Sequence, residues 1–193
     1  CVIVQSGLKE PEPEINIAIV WFRRDLRLAD NPARRAAVTN ADCIIPLYIH
    51  SPDEEAPWQP GAASRWWLHH SLAALDTQLQ ALGCRLIIRA GSSLHELNKI
   101  IKSSNASSVY WNNLYEPATR TRDQHVQSAL QQQGIQSFTY NGSLLFDPEC
   151  IRTNEGNPYT VFTPFWRKAL SLLQLSTPSA VPAAIPACTE LHS

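Results

Sequence analysis

The 193-residue sequence contains no methionine, not even at position 1, which fits a processed or excised piece of a longer chain. It has only seven glycines, and they never fall into G-x-G-x-x-G or G-x-x-x-x-G-K-[ST]. The usual backbone cradles for a dinucleotide or a nucleoside triphosphate are therefore missing. Gly91-Ser92-Ser93 could hold an anion at a helix N-terminus, but a plain turn and cap explains it more simply. Positive charge is not in surplus either: 16 Lys and Arg against 17 Asp and Glu give a net charge of −1. That excludes a general attraction to nucleic acid or to an anionic membrane. No apolar run approaches the roughly 18 residues that span a bilayer, and the opening CVIVQSGLKEPEPE is too short and acidic for a secretory signal. Five cysteines (Cys1, Cys43, Cys84, Cys150 and Cys188) are scattered, odd in number and never in C-x-x-C spacing. They suit reduced thiols in a cytoplasmic protein better than a disulfide framework or a zinc site. The G-x-S-x-G elbow of a nucleophilic serine is absent. His69 and His70 diverge on a helix and cannot share a metal, and Asp53-Glu54-Glu55 reads as a solvated acidic loop. Together these absences argue against a self-sufficient hydrolase or transferase.

What is present is a folded pattern. Hydrophobic residues make up 44% and charged residues 17%, a globular composition. Five short apolar runs recur: Ile15–Phe22, Cys43–Ile49, Arg85–Ala90, Ser108–Trp111 and Ile135–Tyr140. Each is nearly continuous in hydrophobicity, as expected of parallel strands buried on both faces. Helical patterns separate them. Asn31 caps the first, with Pro32 at its first position, where a missing N–H costs nothing. The second, Ser64–Leu82, sets Leu68, Leu72, Leu75, Leu79 and Leu82 on one stripe and stops at Gly83. The third opens with Ser93-Leu94-His95-Glu96 as a capping box and buries Leu94, Leu97, Ile100 and Ile101. The fourth starts near Pro117, buries Val126, Ala129 and Leu130, and ends at Gly134.

Such strand–helix alternation specifies an α/β fold: a doubly wound five-stranded parallel sheet in a three-layer αβα sandwich, Rossmann-like or flavodoxin-like. The expected organisation is an N-terminal extension over 1–14, one domain over 15–173 and a linker over 174–193. Within the domain, Ser143–Thr160 reads as a hairpin-like segment before a last helix near Pro164–Leu173, with Tyr159, Phe162, Phe165 and Trp166 packing both against the sheet. The proline- and alanine-rich tail has the composition of a linker towards a further domain. Ligands of doubly wound sheets bind outside the carboxyl ends of the strands, where strand order reverses. Here those ends are Trp21 to Arg24, Tyr48 to His50, Ala90 to Ser92, Trp111 to Glu116 and Tyr140 to Gly142.

Four segments follow one another in a recognisable order: WFRRDLRLADNP, GAASRWWLHHSLAALDTQL, VYWNNLYEPATRTRDQHV and GNPYTVFTPFWRKAL. Over about residues 15–170 the chain resembles the amino-terminal α/β domain of the DNA photolyase/cryptochrome family. The resemblance implies a light-harvesting antenna chromophore: methenyltetrahydrofolate, a deazaflavin or a flavin nucleotide such as FMN. It also implies a following helical domain that carries FAD and, in photolyases, splits a flipped-out pyrimidine dimer in damaged DNA. The antenna contacts it implies are Tyr48, Ile49, Arg65, Asn112, Leu114 and Glu116. Leu114 stands where deazaflavin-type members tend to have a second acidic residue, which favours folate. Glu116 reads equally as the cap of the helix at Pro117. Arg65, beside Trp66 and Trp67, reads equally as a stacked or surface residue. No catalytic residue is expected in this segment, and the electron-relay tryptophans of the family belong to the FAD domain. Because the antenna touches both domains in some members, the isolated chain is expected to hold it weakly.

Two points stay open at the level of sequence. The charges of RRDLR either brace the end of the first strand or reach into a pocket or domain interface; their self-complementarity favours bracing. The whole protein is read as a photolyase, with a cryptochrome-type photoreceptor or an unrelated nucleotide-binding α/β domain as alternatives.

Overall fold

A computed structural model describes residues 15–173 and 177–188. The extension over 1–14, Cys1 and the rest of the tail lie outside the described residues. Five strands form one parallel sheet: β1 (Ile17–Phe22), β2 (Cys43–His50), β3 (Ile87–Ala90), β4 (Ser108–Asn112) and β5 (Gln136–Tyr140), in the order β3-β2-β1-β4-β5. The helices are α1 (Pro32–Asn40), α2 (Ala62–Ala81), α3 (Ser93–Ser104), α4 (Pro117–Gln132) and α5 (Phe162–Leu172). The doubly wound arrangement expected from the alternation is thus present, with its reversal between β1 and β4. Among the described residues no helix is long and apolar enough to cross a membrane.

Successive side chains of a strand point to opposite faces, and the core divides accordingly. Ala18, Val20 and Phe22 join Ile44, Ala33, Ala37, Leu75 and Leu79 on the α1 and α2 side. Ile19 and Trp21 join Ile45, Leu47, Leu97, Ile100, Val126 and Leu130 on the α3 and α4 side. Only the three central strands are buried on both faces. β3 and β5 are sheet edges with exposed positions, including Ile88 and Phe138, so the expectation of fully buried strands fails for these two.

Local signals hold at several ends. Asn31 accepts a hydrogen bond from the Arg34 N–H at 3.1 Å, capping α1. The capping box expected at Ser93 does not form, because α3 begins one residue earlier than that pattern requires, with Ser92 at the cap. The Ser93 N–H and hydroxyl instead donate to Glu54 of the acidic loop, while Glu96 accepts from Lys99 at 2.8 Å. Segment 143–160 is not a hairpin. It is a loop with a single turn of 3₁₀ helix at Pro148–Cys150 and a tight turn in which the Thr153 N–H donates to the Asn157 carbonyl at 2.8 Å. In α5 only Ala169 is buried; Phe162 stacks on Trp166 at 6.1 Å with both rings exposed. These aromatics therefore do not pack on the sheet as expected.

Residues 177–188, linker-like in composition, return to the domain as a strap. The Ile44 N–H donates to the Pro186 carbonyl at 2.7 Å, Ala187 pairs in parallel with Ile44, and Ile185 is buried. β3 pairs with β2 only from Leu47 onwards, so the strap occupies the length of β2 that β3 leaves open. Pro46 lies between the two, where a strand residue without an N–H leaves no partner wanting. The sulfurs of Cys43 and Cys188 meet there, with Cα atoms 5.3 Å apart. Cysteines 145 residues apart in sequence are thus brought together by the strap, a proximity that their scattered spacing does not show. Cys84 and Cys150 are free.

One close approach ties the sheet to its rim. A Cβ added to Gly142 would stand 2.6 Å from the Asn112 Cγ, and Asn112 is buried and fully bonded. Gly142→Ala should therefore destabilise the fold by about 1–3 kcal/mol, measured by urea unfolding; an unchanged midpoint would show that Asn112 can shift freely.

Candidate functional site

The reversal point of the sheet is where a ligand would be sought, but it is filled. Arg23, at the end of β1, is buried; it pairs with Asp123 of α4 and also donates to the Asn112 carbonyl at the end of β4. Asp25 turns back to accept the Arg23 N–H at 3.0 Å and also accepts from the side-chain amide of Asn112. The Asn112 amide donates to Asn31 Oδ1 at 2.9 Å, and its Oδ1 accepts the Ala33 N–H at 3.1 Å. Burial holds the pKa of the Arg23 guanidinium below its ordinary value, with Asp123 opposing the shift. The first arginine and aspartate of RRDLR are thus braces across the β1–β4 crevice.

The open space lies beside this plug, over the ends of β1 and β2 and under the first half of α2. It is a cavity of about 460 Å³ lined by Trp21, Arg24, Arg27, Tyr48, Ile49, His50, Glu55, Trp67, Leu68, Leu114 and Arg122, among others. Its volume falls within the roughly 300–1,000 Å³ of small-molecule sites. Its floor is Trp21, a buried indole with the guanidinium carbons of Arg23 and Arg122 4.8 and 5.2 Å from the ring centre. One wall is α2, where Ser64, Trp67, Leu68 and Ser71 follow helical spacing along one stripe. Trp67 is 71% exposed, a large flat apolar surface with no protein partner among the ring pairs of the described residues. Burial pushes the Tyr48 phenol up to about 12, with Glu55 adding to the effect and Arg122 opposing it. Tyr48 is therefore a neutral hydroxyl throughout the physiological range. The cavity joins apolar rings to four arginines and one carboxylate, a combination that can stack on a flat heterocycle and hold an anionic substituent.

The residues singled out by the resemblance separate into two groups. Tyr48, Ile49 and Leu114 line the cavity. Asn112, Arg65 and Glu116 do not. Asn112 belongs to the buried plug. Arg65 is exposed on α2, one position round from the lining stripe. Glu116 is the N-cap residue of α4, yet its side chain makes no bond to the helix N–H groups that a cap would satisfy. It pairs with Arg24, which also meets Glu55 at 3.1 Å and lines the cavity. Several lining residues are absent from the antenna contacts that the resemblance implies. His50 and Arg24 stand at the strand ends named from sequence, and Trp67 follows from the helical spacing that places Leu68 inward. Arg122 carries no local signal.

The DNA photolyase family pattern matches residues 18–187. Cryptochrome-1 of Arabidopsis thaliana is 42% identical over 156 residues, 80% of this chain and 23% of its own length. The deoxyribodipyrimidine photo-lyase of Agrobacterium fabrum is 42% identical over 149 residues, 77% of this chain and 30% of its own length. The crystal structure of a class III photolyase from Agrobacterium tumefaciens superposes with a TM-score of 0.83 at 36% identity, covering 96% of this chain and 37% of that one. The chain therefore spans less than two fifths of each of these three proteins.

The plug and the rim each generate a prediction. Asp123→Ala leaves a buried guanidinium unpaired and should cost about 3–5 kcal/mol in urea unfolding; a cost below about 1 kcal/mol would show the brace to be dispensable. The second concerns Glu116. Partial burial pushes its carboxyl up, but its own backbone N–H, the Arg24 charge and the Thr119 hydroxyl together hold it below the usual carboxylate range. A depressed folded value means that the pair contributes stability at and above that range and loses it as pH falls through the lowered value. Arg24→Gln should return the Glu116 titration, followed by carboxyl NMR, towards the ordinary value; an unmoved titration would assign the depression to the backbone and Thr119 alone.

Proposed function

This chain belongs to the DNA photolyase family, and from that premise we propose that it forms the light-harvesting, antenna-chromophore-binding domain of a deoxyribodipyrimidine photolyase. The observation that carries the reading is the cavity over β1 and β2: its size, its stacking surfaces and its arginines suit a flat conjugated chromophore with an acidic substituent. Trp67 would stack on the ring system, Tyr48 would donate a neutral hydroxyl, and Arg24 and Arg27 would meet carboxylate or phosphate. Ile49 and Leu114 complete an apolar wall that excludes water. Glu116 acts on the site through Arg24, and Asn112 through the plug. Arg65 lies outside the wall and serves the rim. The apolar Leu114 favours methenyltetrahydrofolate; a deazaflavin or FMN fits the same space. When bound, such a group absorbs near-ultraviolet or blue light and passes its excitation to FAD.

In the longer protein, FAD is held by a helical domain after this one, and that domain meets damaged DNA and splits cyclobutane pyrimidine dimers. The exposed apolar face of α5, with Val161, Phe162, Trp166 and Leu170, is the surface we assign to it. The protein acts in the cytoplasm. A second reading, a cryptochrome-type photoreceptor without repair, is favoured by one specific fact: the Arabidopsis cryptochrome is as similar as the Agrobacterium photolyase, each at 42%. The unrelated nucleotide-binding domain falls away with the family match.

The test is an absorption titration with methenyltetrahydrofolate, a deazaflavin and FMN in turn, on this chain and on a longer protein that includes the following domain. A red-shifted, saturable band is expected, strongest with folate. Trp67→Ala should weaken it about threefold to tenfold, the worth of one aromatic pair, and Arg65→Ala should leave it within about twofold. No band with any of the three in either protein would overturn the reading.

A further inference from the structure

We propose that Cys43 and Cys188 form a reversible thiol–disulfide clasp that fixes the strap, residues 177–188, to the sheet. Cys43 opens β2, and Cys188 directly follows Ala187, the residue that pairs with Ile44. Their Cα separation of 5.3 Å lies within the roughly 4.4–6.8 Å that a disulfide bridges without backbone movement. Other anchors of the strap are few. Besides the Ile44 bond, the Asp30 N–H donates to the Ser179 carbonyl at 2.8 Å, the Ser179 N–H donates to Asp30 Oδ1 at 3.2 Å, and Ile185 is buried. These contacts are slight against the backbone entropy of ordering the segment, so the covalent link decides whether it stays.

The two sulfurs differ in access, which sets the direction of chemistry. Cys43 is buried and Cys188 is half-buried. The thiolate of a dithiol reductant attacks Cys188 Sγ, the disulfide breaks, and Cys43 leaves as a thiolate that takes up a proton. The second thiol of the reductant then displaces Cys188 from the mixed disulfide; the reductant departs oxidised, having given two electrons and two protons. A disulfide oxidant such as oxidised glutathione runs the exchange backwards. Cys84 is the third thiol nearby, its sulfur 4.0 Å from the Ile44 carbonyl, and burial pushes it up to about 11, so it remains a protonated bystander. The clasp also bears on the cavity. Asp30, which the strap holds, accepts a hydrogen bond at 3.0 Å from Arg27, and Arg27 lines the cavity wall.

The test treats the full chain with oxidised glutathione or with dithiothreitol, alkylates the free thiols and maps linkages by mass spectrometry. It also follows elastase cleavage within 177–188. Oxidation should give a Cys43–Cys188 linked peptide and slow cleavage of the strap about tenfold relative to the reduced chain. In Cys188→Ser that difference should vanish while cleavage elsewhere is unchanged. Thiols that stay unpaired under oxidation, a Cys84–Cys188 linkage, or cleavage indifferent to redox state would each overturn the proposal.

Discussion

A buried guanidinium holds the working end of this domain together. Arg23 leaves β1 at the point where strand order reverses, and it must be paired there because an isolated buried charge is not tolerated. Asp123 supplies the charge from α4 and Asn112 supplies a carbonyl from β4. One side chain therefore ties a strand, its neighbour across the crevice and a helix of the far layer. Asp25, Asn31 and Asn112 are hydrogen-bonded to one another beside it, while Arg23 Nε is left buried without a partner. The usual ligand crevice of the fold is spent on this brace, and the open cavity lies to its side, over β1 and β2 and against α2.

That displacement explains the character of the cavity. Its floor is Trp21, with the guanidiniums of Arg23 and Arg122 over the ring, and its rim is the half-exposed Arg24 shared by Glu55 and Glu116. The second arginine of RRDLR lines the cavity, while the first is structural. The bracing reading of the motif holds for Arg23 and Asp25. Arg27 does a third job by joining the loop after β1 to the Gly142 carbonyl beyond β5 at 2.6 Å.

The fold was legible because its signals are local. Runs of β-branched residues, the Asn31 cap with Pro32, the leucine stripe of α2 and the stop at Gly134 each depend on neighbours in sequence. Features that depend on distant partners were not legible. Nothing in TRTRDQHV marks Asp123 as the acid that meets Arg23 one hundred residues away, and nothing near Glu54 shows that it satisfies the start of α3. The tail reads as a linker because composition reports flexibility without reporting the open stretch of β2 that receives it. Within the site, carrying residues over from relatives named Arg65, whereas the turn of the helix puts Ser64, Trp67, Leu68 and Ser71 on the wall.

The central claim is that the chromophore sits over β1 and β2 against α2, and not in the crevice or on α5. The six tryptophans, Trp21, Trp58, Trp66, Trp67, Trp111 and Trp166, sample these places with separate indole N–H signals. The most direct measurement is a nitrogen-15 NMR titration of those indoles with methenyltetrahydrofolate. The account predicts saturable shifts of Trp67 and Trp21 while Trp166 and Trp58 stay still. Shifts confined to Trp166, with Trp67 unmoved, would contradict it.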